Sequence, residues 1–341
     1  MKILAALPIW GDEYVGRFLR YTLPCLVAPG NLAALARDHG VLLVVFTGGQ
    51  EAARLREPLE RSGIDYYFLP LPERYDRRHS GTVMKEAFQR GFDIAWKGGC
   101  AFAPLCADVV YSDGFFTAAM ALLKGGKRAV LTQGGVVARS AFDLERPTLH
   151  PGAPPRHLMK NFLAVTEHGK RLPKWPGYSN YPAQLFWPVG EHGLVMRACH
   201  LYPVLLLPER HAVMTWSHDN DLVERALTSL DHVAYMDDSD QGFFFGLHED
   251  GHASAAIDRP VATIAVLEQF CREWVSPWKA RYWQHDFVWH DGEMDADHLL
   301  IAKTQAARTI NNLVAMWERV RHDPAPPPPS LLHRVMRRIR A

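Results

Sequence analysis

Nowhere in the chain do about 18 apolar residues run on uninterrupted, so the sequence contains no candidate transmembrane span. The opening Met1-Lys-Ile-Leu-Ala-Ala-Leu-Pro-Ile9 is too short for a signal peptide. Pro8 breaks it and it runs into Asp12-Glu13, so a first strand is expected instead. Cysteine is sparse and odd in number: Cys25, Cys100, Cys106, Cys199 and Cys271, with no Cys-x-x-Cys spacing. That argues against a disulfide framework or a zinc ribbon and favours a reducing, cytoplasmic setting. Net charge is nearly absent. Lys plus Arg number 38 against 37 Asp plus Glu, giving +1, so no global attraction to nucleic acid follows. Three nucleotide and hydrolase signatures are missing: Gly-x-Gly-x-x-Gly after the first strand, Gly-x-x-x-x-Gly-Lys-Ser/Thr, and Gly-x-Ser-x-Gly. Their absence counts against an NAD enzyme, a P-loop NTPase and an α/β-hydrolase.

What is present is alternation. Residues 2–10 read as a buried strand. Tyr14, Phe18, Leu19 and Leu23 then recur at helical spacing. Val41–Phe46 and Asp65–Leu69 are further strands, with a helix at 50–61 between them and another from Gly81 to Ala95. Ala101–Asp108 reads as a fourth strand, residues 114–124 as a helix, and Arg128–Leu131 as a fifth strand. Such alternation predicts a doubly wound, mostly parallel α/β sheet, in which ligands sit beyond the carboxyl ends of the strands. Those ends are Pro8–Gly11, Thr47–Gly49 and Asp108.

Past residue 140 the rhythm fails. A Pro-rich connector at 142–156, a helix at 157–168 and a loop at 171–183 precede strand-like runs at 193–196 and 202–207. Helices are expected at 222–230, 260–275 and 296–320. The sequence therefore divides into an α/β half, 1–140, and an irregular, partly helical half of the same domain, 141–322. A polyproline spacer at 323–330 and a basic amphipathic helix at 331–341 complete it. That helix sets Leu331, Leu332, Val335, Met336 and Ile339 against His333 and four arginines. The pattern suits the surface of an anionic membrane, or a partner protein.

The stretch Ala101–Gly114 carries the chemistry. An acid at the end of a buried strand presents charge to a ligand, whereas Ser112 and Asp113 suit a helix cap. The segment through residue 125 resembles the nucleotide-binding half of GT-A-type glycosyltransferases. The resemblance rests on the strand order, on Pro8-Ile-Trp-Gly11, and on the helix Gly81–Ala95 with its spaced small residues just before an Asp-x-Asp strand. It implies a nucleotide-sugar donor and Mg²⁺ or Mn²⁺ bridging the donor phosphates. At the Asp-x-Asp place the chain reads Cys106-Ala107-Asp108, keeping only the second acid. The family's acid after the second strand is replaced by Thr47-Gly-Gly49.

On this reading Asp108 is the metal ligand, with His200 as a candidate for completing the shell and His192 across the same strand. Pro8, Trp10, Lys85, Asp113, Asp238 and Asp240 are candidates for holding the donor. Trp10 offers a stacking surface, Lys85 with Arg77, Arg78 and Arg139 offers phosphate contacts, and Asp237-Asp-Ser-Asp240 is either a second acidic contribution or a solvated turn. Asp219 and Asp221 are candidate bases for an acceptor hydroxyl, or helix caps. Trp175, Tyr178, Tyr181 and Trp187 offer an acceptor platform or structural anchors. The expected function is glycosyl transfer from a nucleotide-sugar to a glycan, lipid-linked glycan or protein. A nucleotidyltransferase, an inert nucleotide-binding scaffold and a His/Asp metal hydrolase are the alternatives.

Overall fold

A computed structural model describes residues 1–71, 80–138, 152–168, 183–217, 220–248 and 263–322. The polyproline spacer and the basic helix expected at 331–341 lie outside these residues, as do Arg77, Arg78, Arg139, Trp175, Tyr178, Tyr181 and Asp219. Among the described residues no helix is long and apolar enough to cross a membrane.

The chain opens with β1 (Lys2–Pro8), α1 (Asp12–Arg17), a π-helical turn (Phe18–Thr22), α2 (Leu23–Leu26) and α3 (Leu32–Asp38). Next come β2 (Gly40–Thr47), α4 (Gly49–Glu60), β3 (Asp65–Pro70), α5 (Ser80–Lys97) and β4 (Ala101–Pro104). The remainder of the first half is β5 (Val109–Tyr111), α6 (Phe115–Lys124), β6 (Ala129–Thr132) and β7 (Gly135–Ala138). Then follow α7 (Pro155–His168), β8 (Gln184–Val189), β9 (Gly193–Ala198), β10 (Tyr202–Leu206) and α8 (Leu222–Ala226). The chain closes with β11 (Val233–Tyr235), β12 (Phe244–His248), α9 (Ile264–Trp274), α10 (Pro277–Tyr282), β13 (Phe287–His290) and α11 (Ala296–Val320).

The central sheet has seven strands in the order β11-β6-β10-β4-β1-β2-β3. β1 pairs in parallel with β2 on one side and β4 on the other, and β2 in parallel with β3. β10 alone runs against its neighbours β4 and β6. The expected doubly wound, mostly parallel α/β sheet is what the chain forms. Its winding reverses between β1 and β4, where a crevice opens at the carboxyl ends. Gly91 lets α5 lie close over β1, because a Cβ there would stand 2.6 Å from the Ala6 Cβ.

The stretch read as a single strand is two. β4 belongs to the central sheet, and β5 joins a second sheet of order β5-β12-β7. Asp108 thus sits in the turn where the chain passes from one sheet to the other. A third sheet, β13-β9-β8, is wholly antiparallel. One face of it joins the main core through Leu194, Met196, Phe287 and Trp289. The other packs Leu185, Trp187 and Val195 against α9 and α11. Trp187 is therefore a core anchor, 2% exposed, and not part of an open platform.

Candidate active site

A cleft of about 840 Å³ opens at the carboxyl ends of β1, β4 and β6. Pro8 through Tyr14 form one end. Pro104 through Val109 form the floor, and α5 contributes Ser80, Met84 and Phe88. Gln133, Gly134 and Phe244 lie towards β6. Tyr202 to Val204 reach the same rim because β10 runs backwards, so its first residues meet the last residues of its neighbours. Ser217, Asn220 and Leu222 complete the wall.

Asp108 lines this cleft with its side chain 23% exposed. Beneath it Arg17, only 5% exposed, places Nη1 3.7 Å from the Asp108 carboxylate and donates from Nη2 to Glu13 Oε1 at 2.6 Å. Its guanidinium also lies 5.0 Å from the Tyr14 ring centroid. A buried guanidinium between two carboxylates offsets its desolvation by pairing. Arg17 was not singled out from sequence, although its place three residues after Tyr14 puts a charge on the inner stripe of α1. Burial first, then the Asp108 charge, push the Cys106 thiol far above its usual range. It stays protonated, a poor ligand and a poor nucleophile. Burial likewise holds Tyr111 as the neutral phenol.

Of the other expected positions, Pro8 and Trp10 line the cleft. The β2 end, Thr47–Gly49, does not. From that region Glu51 instead accepts the Gly11 N–H at 3.1 Å and so fixes the loop after β1. Lys85 is absent from the lining, which α5 supplies from Met84 and Phe88, a different part of the helix face. Asp113 is a structural tie. Its Oδ1 accepts the N–H groups of Gly30 at 2.6 Å and Gly114 at 2.9 Å. The first turn of α6 is served from afar by buried Asn31, whose Oδ1 accepts the Phe116 N–H at 3.1 Å.

His200 lies outside the cleft lining and is 7% exposed. Burial, then Lys279, lower its pKa to about 4. The structure therefore does not set it beside Asp108 as a ligand. Asp221 turns from the cleft to Lys279, with Oδ1 2.6 Å from Nζ, while its neighbours Asn220 and Leu222 face the cleft. His192 pairs with Asp291 on the exposed β8–β9 turn.

Asp238 and Asp240 form a separate cluster, and neither lines the cleft. With His290 they are the one group of three or more His, Cys, Asp or Glu side chains among the described residues whose ligand atoms converge within 4.8 Å. His290 Nε2 lies 3.1 Å from Asp238 Oδ1 and 3.8 Å from Asp240 Oδ2. Arg156 forks onto Asp240 at 2.7 and 2.8 Å, lowering that carboxyl's pKa. The cluster also holds β13 in place. Asp238 bridges Val288, and Ser239 Oγ accepts the His290 N–H at 2.9 Å and donates to the His290 carbonyl at 3.2 Å.

No protein-family model matches the sequence, and a search of curated proteins finds no match. Among solved structures the chain is similar to a protein designated a glucose-1-phosphate thymidylyltransferase from Bacillus anthracis, in complex with a sucrose. Identity is 10%, with 76% of this chain and 98% of that chain covered, at a TM-score of 0.30.

Proposed function

We propose that the protein is a transferase acting on nucleotide-sugars, and specifically a glycosyltransferase. The observation that carries this reading is the placement of Asp108. It is a carboxylate paired with a buried arginine, lining a cleft that opens where the sheet winding reverses. Mg²⁺ commonly takes one or two protein carboxylates and completes its shell with phosphate and water. Asp108 fits that pattern, whereas a cage made wholly of protein ligands would need more donors than the described residues bring to it. Asp108 would hold Mg²⁺ or Mn²⁺ together with the donor phosphates. A bound cation neutralises charge on the departing nucleotide. Arg17 pairs with Asp108 from beneath the cleft, with Nη1 3.7 Å from its carboxylate. Trp10 lies at the β1 end, where it offers a face for the base. Ser217, Asn220 and Leu222 line the cleft, and Asp219, which lies outside the described residues, is the proposed base for the acceptor hydroxyl.

Calorimetric titration with uridine, guanosine and thymidine diphosphate sugars, with and without Mn²⁺, tests the proposal. At least one donor is expected to bind, more tightly with the metal. Asp108→Asn is expected to lower transfer by about 100-fold, the scale of losing about 3 kcal/mol of leaving-group stabilisation. Pyrophosphate release from a nucleoside triphosphate and a sugar phosphate would overturn it in favour of a nucleotidyltransferase. Failure of every donor to bind would favour a scaffold.

A further inference from the structure

The β6 end of the cleft is built differently from the Asp108 end. Gln133 follows β6 directly and is 1% exposed, yet it lines the cleft. Its Oε1 finds no hydrogen-bond partner among the described residues, and its Nε2 reaches only the Gly134 carbonyl at 3.5 Å. A buried, unanswered amide oxygen is costly, and proteins keep few of them without a reason. The walls around it are aromatic. Phe244 stacks on Tyr111 at 5.9 Å between centroids and meets Tyr202 edge-on at 6.0 Å. Phe244 lies against Gly134, where a Cβ would come within 2.4 Å of its ring. The backbone at this position is thus shaped to hold the ring as a wall.

The ligand suited to such a place offers one hydrogen-bond donor to Oε1 and an apolar face to the rings. A sugar ring has both: hydroxyls at its edge and a C–H face. Position agrees. β10 alone separates β4 from β6, so the carboxyl ends of those two strands lie about two strand spacings apart, roughly 10 Å, and Asp108 and Gln133 line the same cleft beyond them. A nucleotide-sugar bound by its diphosphate beside Asp108 would extend its sugar within that same cleft.

We propose that Gln133 accepts a hydrogen bond from one hydroxyl of the donor's sugar, within a subsite walled by Tyr111, Tyr202 and Phe244, and so sets sugar specificity. This inference rests on the transferase reading above. The test is a cross between the protein and its donor. Wild type and Gln133→Met, similar in size but without the acceptor, are titrated with the preferred nucleotide-sugar, with its deoxy and deoxyfluoro analogues, and with the bare nucleoside diphosphate. Wild type is expected to lose about 10-fold or more in affinity for one analogue, the scale of one buried hydrogen bond. Gln133→Met should bind that analogue and the parent sugar alike, while the bare diphosphate binds both proteins equally. Thermal unfolding supplies the second readout: without ligand, Gln133→Met should be at least as stable as wild type, since it removes an unanswered oxygen.

Equal discrimination by both proteins, with the diphosphate still bound, would overturn the subsite and leave the transferase reading standing. A Gln133→Met protein that is markedly less stable yet discriminates like wild type would make Gln133 structural. Binding of no nucleotide or nucleotide-sugar would overturn both.

Discussion

His200 shows what burial does to one side chain. It packs 6.0 Å from the Phe270 ring and 6.4 Å from that of Trp274, with centroids as the reference. Desolvation acts first on its charge. Lys279 opposes protonation next, and Asp221 and the Trp274 backbone favour it less strongly. The native imidazole is therefore neutral, with a pKa of about 4 against about 6.5 in the unfolded chain. As pH falls below 6.5 the unfolded state takes up the proton first. The contribution to stability is whole above 6.5 and is lost as pH falls towards 4, to a total of about 3 kcal/mol at most. Melting curves from pH 7 to pH 4.5 should fall more steeply for wild type than for His200→Phe. Parallel slopes would contradict the assignment. Cys106 shows the same physics at the cleft, where desolvation and Asp108 keep the thiol silent.

Among elements, the Asp-rich turn after β11 has a mechanical role that its composition did not reveal. Ser239, 1% exposed, satisfies both the N–H and the carbonyl of His290. Ser239→Ala would leave two buried backbone groups of β13 unanswered, and should cost about 1–3 kcal/mol in chemical denaturation. A loss below a few tenths would mean that the turn is not a fastener. Most strands and helices of the first 130 residues were legible because their signals are local, continuous apolar strands and amphipathic helices, although α3 was not expected. The split of Ala101–Tyr111 between two sheets was not. β5 is claimed by β12, and Ser112 accepts a hydrogen bond from Phe243, 131 residues on. No window of sequence carries such a pairing. The short strands β7, β8, β12 and β13 escaped for the same reason. At the site, strand order pointed to Asp108. Gln133 and Arg17 were hidden because burial of a polar residue is a property of the packing around it.

At the scale of the whole molecule, β9 joins two cores. Leu194 and Met196 face the larger and Val195 the smaller, following the alternation of a strand covered on both faces. Trp317 of α11 donates from Nε1 to the Val275 carbonyl at 2.8 Å, tying the last long helix to the segment between α9 and α10. The two cores share a sheet, so they should melt together. Calorimetry, far-ultraviolet and near-ultraviolet circular dichroism should report one coincident transition. Two resolved steps would mean that the α9–α11 layer unfolds by itself.

The irregularity in β10 has a consequence for how this protein could change its substrate. Its pairing with β6 shifts register between Pro203 and Leu205, and Pro203, which lacks an N–H, sits at that break. Bulges re-aim the side chains beside them, and here those are Tyr202 to Val204 on the cleft rim. Deeper in the sheet, Leu205 and Leu206 hold their partners Val130 and Ala129. A one-residue insertion or deletion at the break would exchange which side chains meet the ligand while the frame stays put. The chemistry of the rim is thereby uncoupled from foldability, and a lineage of such proteins can diversify there by very short mutational steps.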